Sequence, residues 1–178
     1  MIRFGQPSRR AEFETAILPH LDAAYSLARF LLRNDQDAED VVQDASLRAF
    51  RFFDGFRGQN SRAWFLRIVR NTAFTALKRA RGHEEDVVFD EELHTPENFD
   101  PGVASRLDQV HDRDTVRSAI EQLGPEFREV ITLRELEECS YKEIAEIAAV
   151  PVGTVMSRLA RARAQLTEIL SKTYMKKG

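Results

Sequence analysis

The chain has 178 residues, of which 43% are hydrophobic and 31% charged. That bounds it to one ordinary domain or two small ones. No stretch approaches the roughly 18–20 consecutive apolar residues of a membrane span. Met1–Arg10 lacks the apolar core of a secretory signal, and Cys139 is the single cysteine, which excludes an internal disulfide framework. These features together predict a cytoplasmic protein in a reducing compartment. Eight glycines and six prolines, with little Val/Ile/Thr alternation, argue against β-rich folds. The net charge of −3 argues on average against a nucleic-acid binder, but the charge is distributed in blocks. From Ser61 to Arg81 there are six cations and no acid; from Glu84 to Asp100 there are eight acids and no Lys or Arg. Local basic faces matter more for phosphate binding than the total.

In chain order, Phe13, Ile17, Leu21, Tyr25, Ala28 and Leu32 recur at helical spacing over 11–32, with Pro19 as a kink or restart. Asn34-Asp35 breaks that pattern. A second helix is predicted over 35–54, with acids crowding its first turns, where the helix dipole favours them. Asn60 or Ser61 can cap a third helix to about Ala80. Residues 82–106 hold Pro96, Pro101, Gly102 and the acidic block, and read as a flexible linker. Val87, Val88, Phe89 and Leu93 are unusual there and could dock on a partner or on the first domain. Helices are then expected over 107–123, from Pro125 to about Glu137, over 141–148, and from about Gly153 to Ser171. The fold class is all-α: two small helical domains, 10–81 and 107–173, joined by the acidic linker.

Three segments carry chemistry. In Ser140–Leu166, Ser140 and Glu143 form a capping box, a short turn at 149–152 follows, and Val155 and Leu159 face inward. Small Ala145 permits a close crossing, as a helix-turn-helix requires. Thr154, Ser157, Arg158 and Arg161 are expected at the start or on the outer side of the second helix, where they can meet phosphates and base edges. The segment Ser61–Arg81 mixes cations with Trp64, Phe65 and Phe74, the combination that binds single-stranded nucleic acid. Each aromatic taken alone is better explained as core, whereas Asn71 suggests a specific partner. On 37–50, Asp37, Asp40 and Asp44 share one side with Gln43 beside them. No histidine converges on them, so a protein-docking face is favoured over catalysis or a metal site. Cys139 reads as a small buried side chain rather than a redox sensor.

DAEDVVQD at Asp37–Asp44, AWFLRIVRN at Ala63–Asn71 and SYKEIAEIAAVPVGTVMSRLARAR at Ser140–Arg163, in this order, resemble the extracytoplasmic-function (ECF) sigma factors of bacterial RNA polymerase. The resemblance covers nearly the whole chain after the first ten residues. It implies a sigma2 and a sigma4 domain in a promoter-specificity subunit, with no catalytic residues, cofactor or metal. It further implies core RNA polymerase as partner, through the β′ clamp and the β subunit, together with promoter DNA and an anti-sigma factor. Asp37, Asp40, Val41, Gln43 and Asp44 would dock on the clamp. Phe56, Asn60, Trp64, Arg67, Arg70, Asn71, Lys78 and Arg79 would engage the −10 element. Thr154, Ser157, Arg158, Arg161 and Arg163 would engage the −35 element. Thr75 stands where many members have Asp; Met156 and Ala160 stand where many have a basic or aromatic residue. A stand-alone helix-turn-helix regulator would leave the acidic and Trp64 helices without roles. A helical enzyme built on the three aspartates would need a convergent pocket.

Overall fold

The computed structural model describes residues 7–82 and 113–177, with no side-chain description at Lys177. The acidic block, the apolar residues within it and the start of the helix expected from Leu107 lie outside the described residues. Helix α1 (Arg9–Ile17) starts where the Ser8 hydroxyl accepts from the Ala11 amide at 3.2 Å. Pro19 sits in a 3-10 turn, Leu18–His20, and so divides the predicted first helix from α2 (Leu21–Leu32). Arg33, at φ 58°, ends α2 in the left-handed region. The chain then reverses at once, because Asn34 Oδ1 accepts from the Asp37 amide at 2.9 Å and opens α3 (Asp35–Phe52). Helix α4 (Ser61–Ala80) is capped in the same way by Asn60, whose Oδ1 accepts from the Ala63 amide at 3.0 Å.

Helices α2, α3 and α4 pack on one another. Alanines line their contacts, with Ala24, Ala28, Ala38, Ala45, Ala49 and Ala73 fully buried; Leu27, Leu31, Phe65, Leu66 and Val69 fill the remaining space. Small side chains let the axes approach, and large ones close the gaps at interior density.

The second half contains α5 (Arg113–Glu121), α6 (Pro125–Ile131), α7 (Tyr141–Ala148) and α8 (Val152–Lys177). Pro125 occupies the first turn of α6, where its missing N–H costs nothing. Beyond Ile131 the helix widens into a π-helical turn, Thr132–Leu136. The predicted capping box forms: the Ser140 hydroxyl accepts from the Glu143 amide at 3.1 Å, and the Ser140 amide donates to the Glu143 carboxylate at 2.8 Å. Ile144, Ile147 and Ala148 are buried, and Ala145 is half-buried and packs against the core. Ala149, at φ 55°, ends α7, and the Thr154 and Val155 amides bond the Pro151 carbonyl to start α8. Helix α8 extends past the expected Ser171 because Leu166 and Leu170 continue its buried stripe beyond the turn-helix unit.

The two halves do not stand apart. Helix α4 packs on α7 and α2 packs on α5 and α6, and the buried apolar residues of both halves form one cluster.

Candidate functional site

On α3, Asp37, Asp40, Gln43 and Asp44 are all exposed. Gln36 Nε2 donates to Asp40 Oδ1 at 3.2 Å, and Arg48 Nε pairs with Asp44 Oδ2 at 3.1 Å, one turn apart in each case. A shallow groove runs between α3 and α4, lined by Asp40, Asp44 and Arg48 on one side and Thr72, Thr75 and Arg79 on the other. Val41 is 6% exposed and belongs to the interior of the three-helix unit, and it also lines the floor of this groove. Leu47 and Phe52 are exposed further along the helix and extend the polar face with apolar surface. Among the described residues no group of three His, Cys, Asp or Glu side chains is arranged to hold a metal. No described helix is long and apolar enough to cross a membrane.

Ahead of α4, the Phe56 and Trp64 rings lie 4.9 Å apart by centroid, and Phe53 stacks on Phe56 at 6.2 Å. Gly58 lies close to this packing: a Cβ there would stand 3.0 Å from the Phe56 ring, so a side chain would press on it. Trp64 and Phe74 are half-buried and Phe65 is buried, so α4 divides its aromatics between core and surface. Arg67, Asn71, Lys78 and Arg79 are exposed along the helix. Asn71 is not held among apolar neighbours; its Oδ1 accepts from Arg70 Nη1 at 3.3 Å. Arg70 lies over the Phe74 ring at 4.2 Å.

In the turn-helix unit, Val155 and Leu159 point inward as expected, while Thr154, Ser157 and Arg161 are partly exposed. Arg158 does not lie on the outer side. It is 9% exposed, because its position falls on the same stripe as Val155, Leu159 and Ala162, and its charge acts on the buried Glu129 carboxyl. Arg163 pairs with Glu135 at 2.7 Å within the same half. Cys139 is buried, and burial pushes its thiol up to about 11, which leaves little thiolate at neutral pH.

The halves meet through polar contacts, some made by residues that the resemblance assigns to DNA and others that the sequence did not single out. Arg70 Nε donates at 2.7 Å to Oε1 of Glu129, whose side chain has 0% exposure. Burial pushes the Glu129 carboxyl up, and the guanidiniums of Arg70 and Arg158 oppose that shift. Arg29 Nη1 donates to Glu121 Oε1 at 3.0 Å, and Arg62 reaches the Glu137 carbonyl. Asn60 Nδ2 donates to Glu143 Oε1 at 3.0 Å. Arg128 caps α2 from across the interface, its Nη2 donating to the Leu31 carbonyl at 2.8 Å. Burial lowers that guanidinium to about 10. Two proposed −10 residues, Asn60 and Arg70, and one proposed −35 residue, Arg158, therefore belong to or border this interface. The visible sign of it is Arg128-Glu129 set inside the apolar run Phe127–Leu133, where a charge pair needs buried partners.

Comparison with known proteins agrees with the two-part reading. Residues 16–83 match the family "Sigma-70 region 2" and residues 113–166 match "Sigma-70, region 4". An RNA polymerase sigma-H factor of Pseudomonas aeruginosa is 34% identical over 178 residues, covering 94% of this chain and 90% of that protein. The ECF RNA polymerase sigma-E factor of Escherichia coli is 40% identical over 140 residues, covering 71% of this chain and 70% of that one. The ECF sigma factor SigE of Mycolicibacterium smegmatis is 30% identical, and the match spans 65% of its length. Among solved structures, the sigma factor RpoE of Bartonella quintana in complex with the anti-sigma factor NepR superposes with a TM-score of 0.68. It has 32% identity over 90% of this chain and 97% of that chain. CnrH in complex with the cytosolic domain of CnrY superposes at 0.64, with 28% identity over 93% and 90% of the two chains.

Proposed function

The chain belongs to the extracytoplasmic-function group of the sigma-70 factors, and on that premise we propose that it directs core RNA polymerase to a specific set of promoters. In this reading it acts in the cytoplasm and performs no catalysis of its own. The exposed Asp37, Asp40, Gln43 and Asp44 grip the β′ clamp, and the second half contacts the β subunit. Phe56, Trp64 and the cations of α4 engage and hold open the −10 element. The outer face of α8 enters the major groove at the −35 element. The two functional units are 10–81 and 107–173. The single observation that carries the proposal is the pairing, on one chain, of an exposed carboxylate face on α3 with an exposed helix-turn-helix edge on α8.

The packing of the halves supports a second part of the reading. The packed halves hold Arg70 on the buried Glu129 carboxylate and Asn60 on Glu143, two residues assigned to the −10 element; in this reading the packed form is the resting form, and promoter engagement draws these side chains away. The similar RpoE of Bartonella quintana is bound by the anti-sigma factor NepR, and in this reading an anti-sigma factor would hold the resting form of this chain.

The test is transcription by core polymerase with and without the purified protein on a promoter library, scored by start sites. New starts, lost with Asp40→Arg while the fold and thermal midpoint hold, are expected. The same starts as core alone would overturn the proposal.

A further inference from the structure

Helix α8 enters the proposed −35 site with an unusual set of side chains. Of its first two turns, Val155, Arg158 and Leu159 are turned inward. Gly153 has no side chain, and Thr154 and Ser157 are short and partly exposed; the Ser157 hydroxyl donates to the Thr154 carbonyl at 3.0 Å. The buried Arg158 is withdrawn from the outer surface. Met156 is left as the longest exposed side chain of those turns, at 54% exposure, beside exposed Val152. The first cation beyond them on the accessible side is Arg161, a turn further along the helix.

A recognition helix meets base edges mainly through its N-terminal residues. In the major groove every base edge presents hydrogen-bonding groups, and thymine alone adds an apolar one, its C5-methyl. A thioether donates no hydrogen bond and accepts only weakly, so Met156 gains nothing from guanine, cytosine or adenine edges and desolvates them. It gains contact area from a methyl group, and its unbranched chain adapts to reach one. We propose that Met156 is a specificity-determining residue of this chain, which reads a thymine methyl group within the −35 element by apolar contact. The inference rests on the promoter-recognition reading and adds to it the chemistry by which one base is chosen.

The experiment uses holoenzyme. A duplex library randomised over the −35 region is selected for binding, and each thymine of the winning sequence is then replaced singly by deoxyuridine, which removes only the methyl group. The expected result is a loss of about fourfold at one thymine, the worth of one buried methyl. Met156→Ala, at an exposed position that leaves the fold unchanged, should bind the thymine and uracil versions alike there. Met156→Arg should shift selection at that position to guanine. If holoenzyme selects a −35 sequence but no thymine-to-uracil change is felt, or the loss persists in Met156→Ala, the Met156 inference is overturned and promoter recognition stands. If holoenzyme selects no −35 sequence at all, both fall.

Discussion

Arginines of one sequence pattern have different physical roles here, and burial separates them. Arg158, Arg161 and Arg163 occupy one helix within two turns, yet Arg158 is turned inward, its charge acting on the Glu129 carboxyl, Arg163 is bonded to Glu135, and Arg161 is partly exposed. Removing a charge from a buried pair leaves its partner uncompensated, which costs about 3–5 kcal/mol. Because Arg70 also covers Glu129, Arg158→Ala is expected to lower the unfolding free energy by about 1–3 kcal/mol, read by denaturant titration of the helical signal. Arg161→Ala should leave that titration within about 0.5 kcal/mol and weaken promoter binding instead. Equal stability for the two variants would contradict the inward placement of Arg158. The sequence could not separate them, because a helix pattern gives the spacing of residues but a buried arginine is distinguished only by the carboxylate waiting for it on another helix. Val41 illustrates the same limit in an apolar residue: within the acidic motif its neighbours are exposed, and packing on α2 and α4 draws it in.

At the scale of elements, the ends of the helices were the most legible features. Asn34, Asn60 and Ser140 each accept the amide three residues on, as short polar side chains at those places should. Pro19 and Pro125 act through their fixed φ and missing donor, which needs no tertiary partner to predict. Less legible was the continuation of α8 to Lys177 and the π-helical turn after α6, since both answer to packing rather than to local propensity. The capping box also yields a pH dependence. The Ser140 amide, then the Asn60 and Ser140 side chains and the Arg62 charge, hold the Glu143 carboxyl below its ordinary value of 4.5. The folded-state value is depressed, so the unfolded chain binds the proton more tightly. The stabilisation is whole above 4.5 and is lost as pH falls through the lowered folded-state value. Glu143→Gln removes this dependence. Thermal midpoints of the two proteins should differ most near neutral pH and converge on acidification; a difference constant with pH would show that Glu143 acts through its shape alone. Ser140→Ala should cost about 1 kcal/mol near neutral pH, partly through its bond to Glu143 and so less on acidification.

Over the whole molecule, the sequence showed two helical units and a charged stretch between them, but its only sign of how the units would meet was the Arg128-Glu129 pair inside an apolar run. Interfaces of this kind depend on complementarity between surfaces far apart in the chain, and no local period records it. In retrospect the charges were matched: the first half brings Arg29, Arg62 and Arg70, and the second brings Glu121, Glu129 and Glu137. Such pairs differ in worth. Arg70–Glu129 is shielded from water, whereas Arg29–Glu121 and Arg62–Glu137 are partly exposed and contribute little each. A test of the interface should therefore alter the cation at the shielded pair while sparing Glu129, on which the fold of the second half also depends through Arg158. Arg70→Gln keeps a hydrogen-bond donor and the length needed to cover Glu129 while removing the charge; Arg62→Ala removes the neighbouring contact. Fluorescent labels at exposed Gln43 on α3 and Ser171 on α8 would report the separation of the halves. The double variant should shift the population toward longer distances, and should do so less in high salt, which already weakens the exposed pairs in the parent protein. Each half should keep its helical content throughout, because α2–α4 and α6–α8 have buried apolar interiors of their own. An unchanged distance distribution would mean that the apolar contacts of α4 with α7 and of α2 with α6 hold the halves together without the ions.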